Sequence, residues 1–405
     1  MPRIGAYLFA GNFDEAPVAL VENAEKAFQG SILLGMGFTF DDSAADQGET
    51  ESLETMRRLI SLNPRNADRI SPYVGGEEVN TSPTHEHHRY TIDFFDRPLG
   101  RRSDLRLWET MSGREREQCL TRGLVPTDYQ GEVAEDWPDL IEIVRRRVKP
   151  ERDRQKRDAL RNRWWHYADK RPGLYRAIAR LDTILAIPCG ATAHVSFARL
   201  PAGSVYGHVL AVFAYSRFAP FAVLQSRFHE LWARFFGSSL GETLRYTPSD
   251  CFETFPFPPG YETDPALEAA GHAYHGYRAA LMIAANEGMT KTYNRFHDDG
   301  ERSESIRRLR ELHDELDRAV LRAYGWHDLA DELRPEFLSE QTEDEHTYQD
   351  RYFWPSEARD RVLAHLLALN AERHAEEVAA GLVPATRTRG SEEDEVVTQP
   401  GLDLD

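Results

Sequence analysis

Apolar and polar positions follow two rhythms along this chain, and the rhythm changes near residue 260. Before that point the apolar runs are short. Ile4 to Ala10 reads as a strand, and about Pro17 to Phe28 as a helix closed by Gly30. The run GSILLGMGFTF is strand-like, broken at Gly35 and Gly37. Helical spacing from Glu51 to Leu62 stops at Asn63-Pro64, because the residue before a proline avoids the helical region. Tyr90 to Phe94 alternates with period two, after a loop in which Gly75-Gly76 permits positive φ. A helix-like stretch covers roughly Leu140 to Tyr167. Between 181 and 216, short alternating runs separated by Pro188, Gly190, Pro201-Ala202-Gly203 and Gly207 predict a small antiparallel sheet. Pro220 starts a helix that places Phe221, Leu224, Phe228, Leu231, Trp232 and Phe235 on one face and stops at Gly237.

After the proline-rich stretch Phe252 to Gly260 the pattern is nearly all helix. One helix runs from about Pro265 to Glu287. A second is capped by Ser303, turns Ile306, Leu309, Leu312, Leu316, Val320 and Tyr324 inward, and ends at Gly325. A third spans about Pro355 to Ala380. The tail after Thr386 is acidic and lacks aromatic residues, which predicts disorder. There is no internal repeat. The fold class expected is α+β: a mixed α/β part with a small antiparallel sheet, then an all-helical part.

At 405 residues, 41% of them hydrophobic, the chain can hold two or three domains with real cores. It contains no apolar run of membrane-spanning length and its first residues lack a signal-peptide layout, so a soluble, cytoplasmic protein is expected. Cys119, Cys189 and Cys251 are far apart and include no CxxC pair, which excludes a closed zinc site and a disulfide scaffold.

The net charge of −18 is unfavourable for a nucleic-acid partner unless positive charge is gathered locally. It is gathered between Ile141 and Arg180, where fourteen basic side chains face five acids. Those picked out for contact with a DNA backbone are Arg145, Arg146, Arg147, Lys149, Arg152, Arg154, Lys156, Arg157, Arg161, Arg163, Lys170 and Arg171. The plainer reading is a solvated face tied by i,i+4 pairs, but the acids within the segment are too few to pair with every arginine. Gln225 and Arg227 join the set, because glutamine and arginine suit adenine and guanine edges; they are equally common on any exposed helix.

Other motifs have competing readings. Trp164-Trp165 could stack on an extruded base, but packing between helix and sheet is favoured. The segment Tyr73 to Asn80, with two glycines and Glu77-Glu78, reads as a cation- or ligand-binding loop or as an ordinary turn. His85, His87 and His88 invite a metal but lack ligand spacing, and a solvated loop is favoured. Met289 to His297 reads as a linking loop whose Tyr293 and Phe296 plug into the bundle while Asn294 caps, in preference to a DNA contact. No glycine-rich cofactor loop follows a strand, and no Asn-Pro-Pro-aromatic loop, nuclease pattern, P-loop or HExxH is present.

The ordered set PYVGGEEVN, RYTIDF, VKPER, WWHYADKRPGLY, LQSRFHELWARFFGSS, YTPSDCFETFPFP, GMTKTYNRFHD, LHDELDRAVLRAYGW and RYFWP…LLALN resembles the region downstream of the catalytic domain in type IIL (MmeI-like) restriction–modification methyltransferases. It also resembles the large adenine methyltransferases of phage-defence systems such as DISARM. The resemblance runs from about Phe28 to Arg373. It implies that residues 1–45 are the terminal strand and linker of a methyltransferase domain (a remnant or docking segment). Residues 46–260 would then be a target-recognition domain, 261–385 a helical C-terminal domain and 386–405 a disordered tail. It further implies double-stranded DNA as partner and a separate catalytic subunit holding S-adenosylmethionine, with no catalytic, cofactor or metal residue in this chain. The alternatives are a stand-alone sequence-specific DNA-binding module and a truncated gene remnant without activity.

Overall fold

Caps and turns set the helices where the sequence punctuates them. Ser52 accepts the backbone N–H of Thr55 and opens the helix Leu53–Leu62, which ends at Asn63. Ser303 caps Glu304–Tyr324, and Gly325 closes it at φ 73°. A computed structural model describes residues 16–240, 243–338 and 348–383. The strand expected at Ile4 to Ala10 and the tail 386–405 lie outside the described residues.

The mixed α+β class holds. Two four-stranded sheets form its frame. The first is antiparallel throughout, in the order Ala27–Gln29, Leu210–Phe213, Thr183–Pro188, Ala198–Pro201; it contains the small sheet expected between 181 and 216. The second runs Val205–Tyr206, Ile70–Val74, Arg89–Ile92, Thr39–Phe40, with a parallel first pair.

The second sheet lies between two cores, since its Val74 and Tyr206 belong to the larger and its Tyr73, Ile92 and Val205 to the smaller. Phe38, Phe40, Ile92, Trp137, Val144, Trp164 and Trp165 fill the smaller one. In the larger, the first sheet shares its core with the helices Pro265–Ala285, Glu304–Tyr324 and Ser356–Ala379. That core runs across residue 260 without a break, since Phe255, Phe257, Tyr261 and Leu267 all belong to it. Gly271 lets the helix Pro265–Ala285 approach closely: a β-carbon there would lie 2.3 Å from the Phe218 carbonyl oxygen. Asn370 ties three distant segments together, exchanging two hydrogen bonds with the Val18 backbone and donating to the Thr254 carbonyl at 2.7 Å.

Several local expectations are corrected. Pro17 to Phe28 is not a helix but a short 3-10 turn at Val21–Asn23 followed by the strand Ala27–Gln29. The basic stretch is three short helices, Pro138–Arg147, Lys149–Asp153 and Asp158–Asn162. The helix assigned to Pro220 is two, Phe218–Gln225 and Arg227–Phe236, parted at extended Ser226. Met289–His297 is a helix rather than a loop; Tyr293 and Phe296 are buried as expected, but Asn294 accepts from His194 instead of capping.

The Trp164-Trp165 pair packs inward, with Trp165 Nε1 donating to the Arg97 carbonyl. Trp165 also lies over Gly123, the left-handed cap of the helix Gly113–Arg122, where a β-carbon would come within 2.2 Å of the ring. Gly123→Ala therefore meets both backbone strain and a clash, and should cost at least about 1 kcal/mol in a urea melt.

Candidate nucleic-acid interface

The basic segment is anchored by the apolar face of Pro138–Arg147, where Leu140, Ile141, Ile143 and Val144 are buried. Arg145, Arg146 and Arg147 fall in its last turn, where positive charge meets the negative end of the helix dipole. What then happens to those charges was not visible in the segment itself. Carboxylates arrive from elsewhere. Glu51 Oε1 takes Arg146 Nη2 and Arg147 Nε, both at 2.6 Å. Arg145 pairs with Glu142 at 2.7 Å and lies 3.9 Å from Glu135. Lys149 pairs with Asp153 one turn on, Arg161 with Asp158, and Lys170 with Asp96. Arg163 donates to the Thr121 carbonyl.

Arg152 is corrected outright as a DNA contact. It is 1% exposed and donates to the carbonyls of Leu33 and His166; burial lowers its pKa to about 10. Its task is to hold the segment onto the chain around Leu33.

Gln225 and Arg227 are corrected in the same way. Both are interior, 2% and 1% exposed. Gln225 Oε1 accepts from the Phe197 backbone and from Arg278 Nη1, each at 3.0 Å. Arg227 Nη1 donates to Asp317 at 2.6 Å and Asp314 at 2.9 Å. Neither side chain can meet a base without unfolding its surroundings. A signal for this existed: Asp317 sits within the apolar stripe of Glu304–Tyr324, between Leu316 and Val320, and an acid there requires a buried cation.

Arg154, Lys156 and Arg157 remain on the outer surface, in the turn between the second and third short helices. Among the described residues no ion pair engages Arg154 or Lys156. These are the best-placed cations of the segment for a polyanion. Lys170 and Arg171 lie further along, half-buried beside the strand Ala27–Gln29, with Arg171 Nη2 donating to Gln29.

The other candidate loops are structural. Glu78 accepts the Gly75 backbone N–H and both Arg89 nitrogens within 2.8 Å, so it is a cap and an ion pair for the short helix Gly76–Thr81. Burial pushes its carboxyl up, but the Arg89 guanidinium outweighs this and holds it below the usual carboxylate range. Among the described residues no group of three or more His, Cys, Asp or Glu could hold a metal, and no helix is long and apolar enough to cross a membrane. The three cysteines are free thiols.

No family model matches the sequence, and no curated protein does. Among solved structures there is a likeness along most of the chain. It shares its fold with a restriction–modification enzyme. That structure is the type IIL restriction–modification enzyme MmeI in complex with DNA, with a TM-score of 0.56 and 15% sequence identity. The match covers 92% of this chain and 39% of the MmeI chain. This chain spans about two fifths of that enzyme's length.

Proposed function

We propose that this chain is the DNA target-recognition part of a site-specific N6-adenine DNA methyltransferase in a restriction–modification or phage-defence system. The catalytic residues and S-adenosylmethionine are carried by a separate chain. The observation that supports this most is the fold likeness over 92% of the chain to an enzyme solved with DNA. The cations at Arg154, Lys156 and Arg157 supply a local positive surface on an otherwise acidic protein. The division of labour is physically reasonable: methylating a base requires unstacking it at a cost of a few kcal/mol, and a domain clamping the duplex offsets that cost.

Two measurements test the reading. Co-expression with a methyltransferase catalytic chain should restore N6-adenine methylation at a defined site; absence of both association and methylation would overturn the two-chain proposal. Separately, the purified chain should bind duplex DNA with steep salt dependence. Arg154→Ala combined with Lys156→Ala should weaken binding by a similar factor for every duplex. It should also reduce the slope of log K against log salt by about two. Arg146→Ala, whose charge already holds Glu51, should change that slope less.

A further inference from the structure

Gln29, Asp169 and Arg171 converge at the end of the edge strand Ala27–Gln29. Gln29 is fixed by its register opposite Ala211 and by its amide, whose Nε2 donates to the His208 carbonyl at 2.9 Å. Its Oε1 accepts from Arg171 Nη2 at 3.0 Å. Asp169 holds Arg171 at two points: one oxygen accepts the Arg171 backbone N–H at 2.9 Å, and the other lies 3.2 Å from Nη1. Arg171 itself adopts φ 50°, ψ 56°, a left-handed state that is costly for a residue with a β-carbon. Its side chain is one-third exposed, and His208 and Arg245 are exposed nearby. Burial pushes the neighbouring Cys189 thiol up to about 11, while Gln29, Arg245 and Arg171 act in the opposite sense, which places all three around it.

The geometry suits recognition of one base better than attraction to a phosphate. A guanidinium carries five N–H donors. Gln29 accepts one from Nη2 and Asp169 lies at ion-pair distance from Nη1, while Nε is buried without a partner, so each terminal nitrogen keeps at least one N–H for a ligand. Two parallel donors match the O6 and N7 acceptors of guanine in the major groove. A phosphate contact tolerates a swinging side chain, whereas a paired acceptor demands a fixed plane.

The location is compatible with the cationic turn. From Gln29 the chain passes Ile32, which is bridged to Asp169, then Leu33, which receives Arg152, and reaches Gly35 beside Glu151. Six residues span at most about 20 Å. That is less than one turn of duplex, about 34 Å.

We infer that Arg171, braced by Asp169 and Gln29, reads a guanine edge in duplex DNA. The inference rests on the DNA-binding reading above and assigns a specificity role within it.

The test uses the full chain and a pool of randomised duplexes, followed by affinities for the selected duplex and its single-base variants at one salt concentration. The wild type should lose roughly five- to hundredfold on replacement of one G·C pair. Arg171→Gly, at ease in the left-handed backbone, should lose that penalty, so that the selected duplex and its single-base variant bind alike whatever affinity is lost for all duplexes. Arg171→Lys should not restore it, since an ammonium presents no planar fork. If the wild type binds no duplex, the proposed function itself fails. If it binds but selects no guanine, or if Arg171→Gly keeps the same guanine penalty, this inference alone is overturned.

Discussion

Arg227→Ala should destabilise the fold by about 3–5 kcal/mol at neutral pH, the usual cost of removing one partner from a buried ion pair. The cation is 1% exposed and Asp317 is 6% exposed, so no water replaces what is lost. The main chain is involved as well: Asp317 Oδ1 accepts the Arg227 N–H at 2.9 Å, which fixes the start of the helix Arg227–Phe236 after the Ser226 break. Burial pushes the Asp317 carboxyl up, but Arg227 and His313 outweigh this and hold it below the ordinary carboxylate range. A depressed carboxyl contributes stability that is present above the unfolded pKa of about 4 and is lost as pH falls through the folded value. The gap between wild type and Arg227→Ala should therefore be widest near neutrality and narrow in acid, where a stranded carboxyl becomes neutral. Urea unfolding at pH 7.5 and pH 4 checks both statements; a gap below about 1 kcal/mol at pH 7.5 would contradict the buried pair.

Acid should weaken this protein well before its carboxylates titrate. Burial alone lowers His229 to about 3, and burial followed by the Lys170 charge lowers His166 to about 4. Both rings are neutral in place. His229 Nε2 lies 2.8 Å from the Tyr246 hydroxyl, and His166 Nε2 lies 2.8 Å from the Arg97 carbonyl, which a ring N–H must donate to. In the unfolded chain each accepts a proton near pH 6.5. The folded state resists protonation, so stability is full above about 6.5 and falls as pH drops toward the folded values. Each fully coupled histidine contributes a slope of about 1.4 kcal/mol per pH unit, so the two together remove several kcal/mol between pH 6.5 and 4.5. His229→Gln should flatten that slope by about one proton, read from unfolding free energies at half-unit steps of pH. An unchanged slope would mean that His229 does not titrate on unfolding.

Local chemistry was legible in the sequence, and long-range pairing was not. The ends of Glu304–Tyr324 follow from Ser303 and Gly325 because a cap depends only on neighbours. Residues 17 to 28 carry helical spacing, yet Ala27, Phe28 and Gln29 pair with Phe213, Val212 and Ala211, and the sheet edge prevails over local preference. The helix Phe218–Gln225 is apolar on every side because it lies inside the larger core. One helix continued through Ser226 was the natural reading of a stripe whose break comes from tertiary contacts. Pairing in the basic segment is hidden for a related reason. Counting acids between residues 141 and 180 leaves most arginines unpaired, but Glu51 and Asp96 come to it from distant sequence and Glu135 from just upstream.

Those borrowed carboxylates shape how the surface looks from a distance. A cation beside an anion presents a dipole to an approaching polyelectrolyte, and a dipole's field decays faster with separation than that of a lone charge. Arg146 and Arg147 share the one carboxylate of Glu51, so only half of their charge is cancelled, and the protein as a whole carries a net charge of −18. Among the described residues Arg154 and Lys156 have no carboxylate partner, so their field reaches further than that of a paired side chain. A polyanion approaching the segment would feel that turn before it felt the paired arginines.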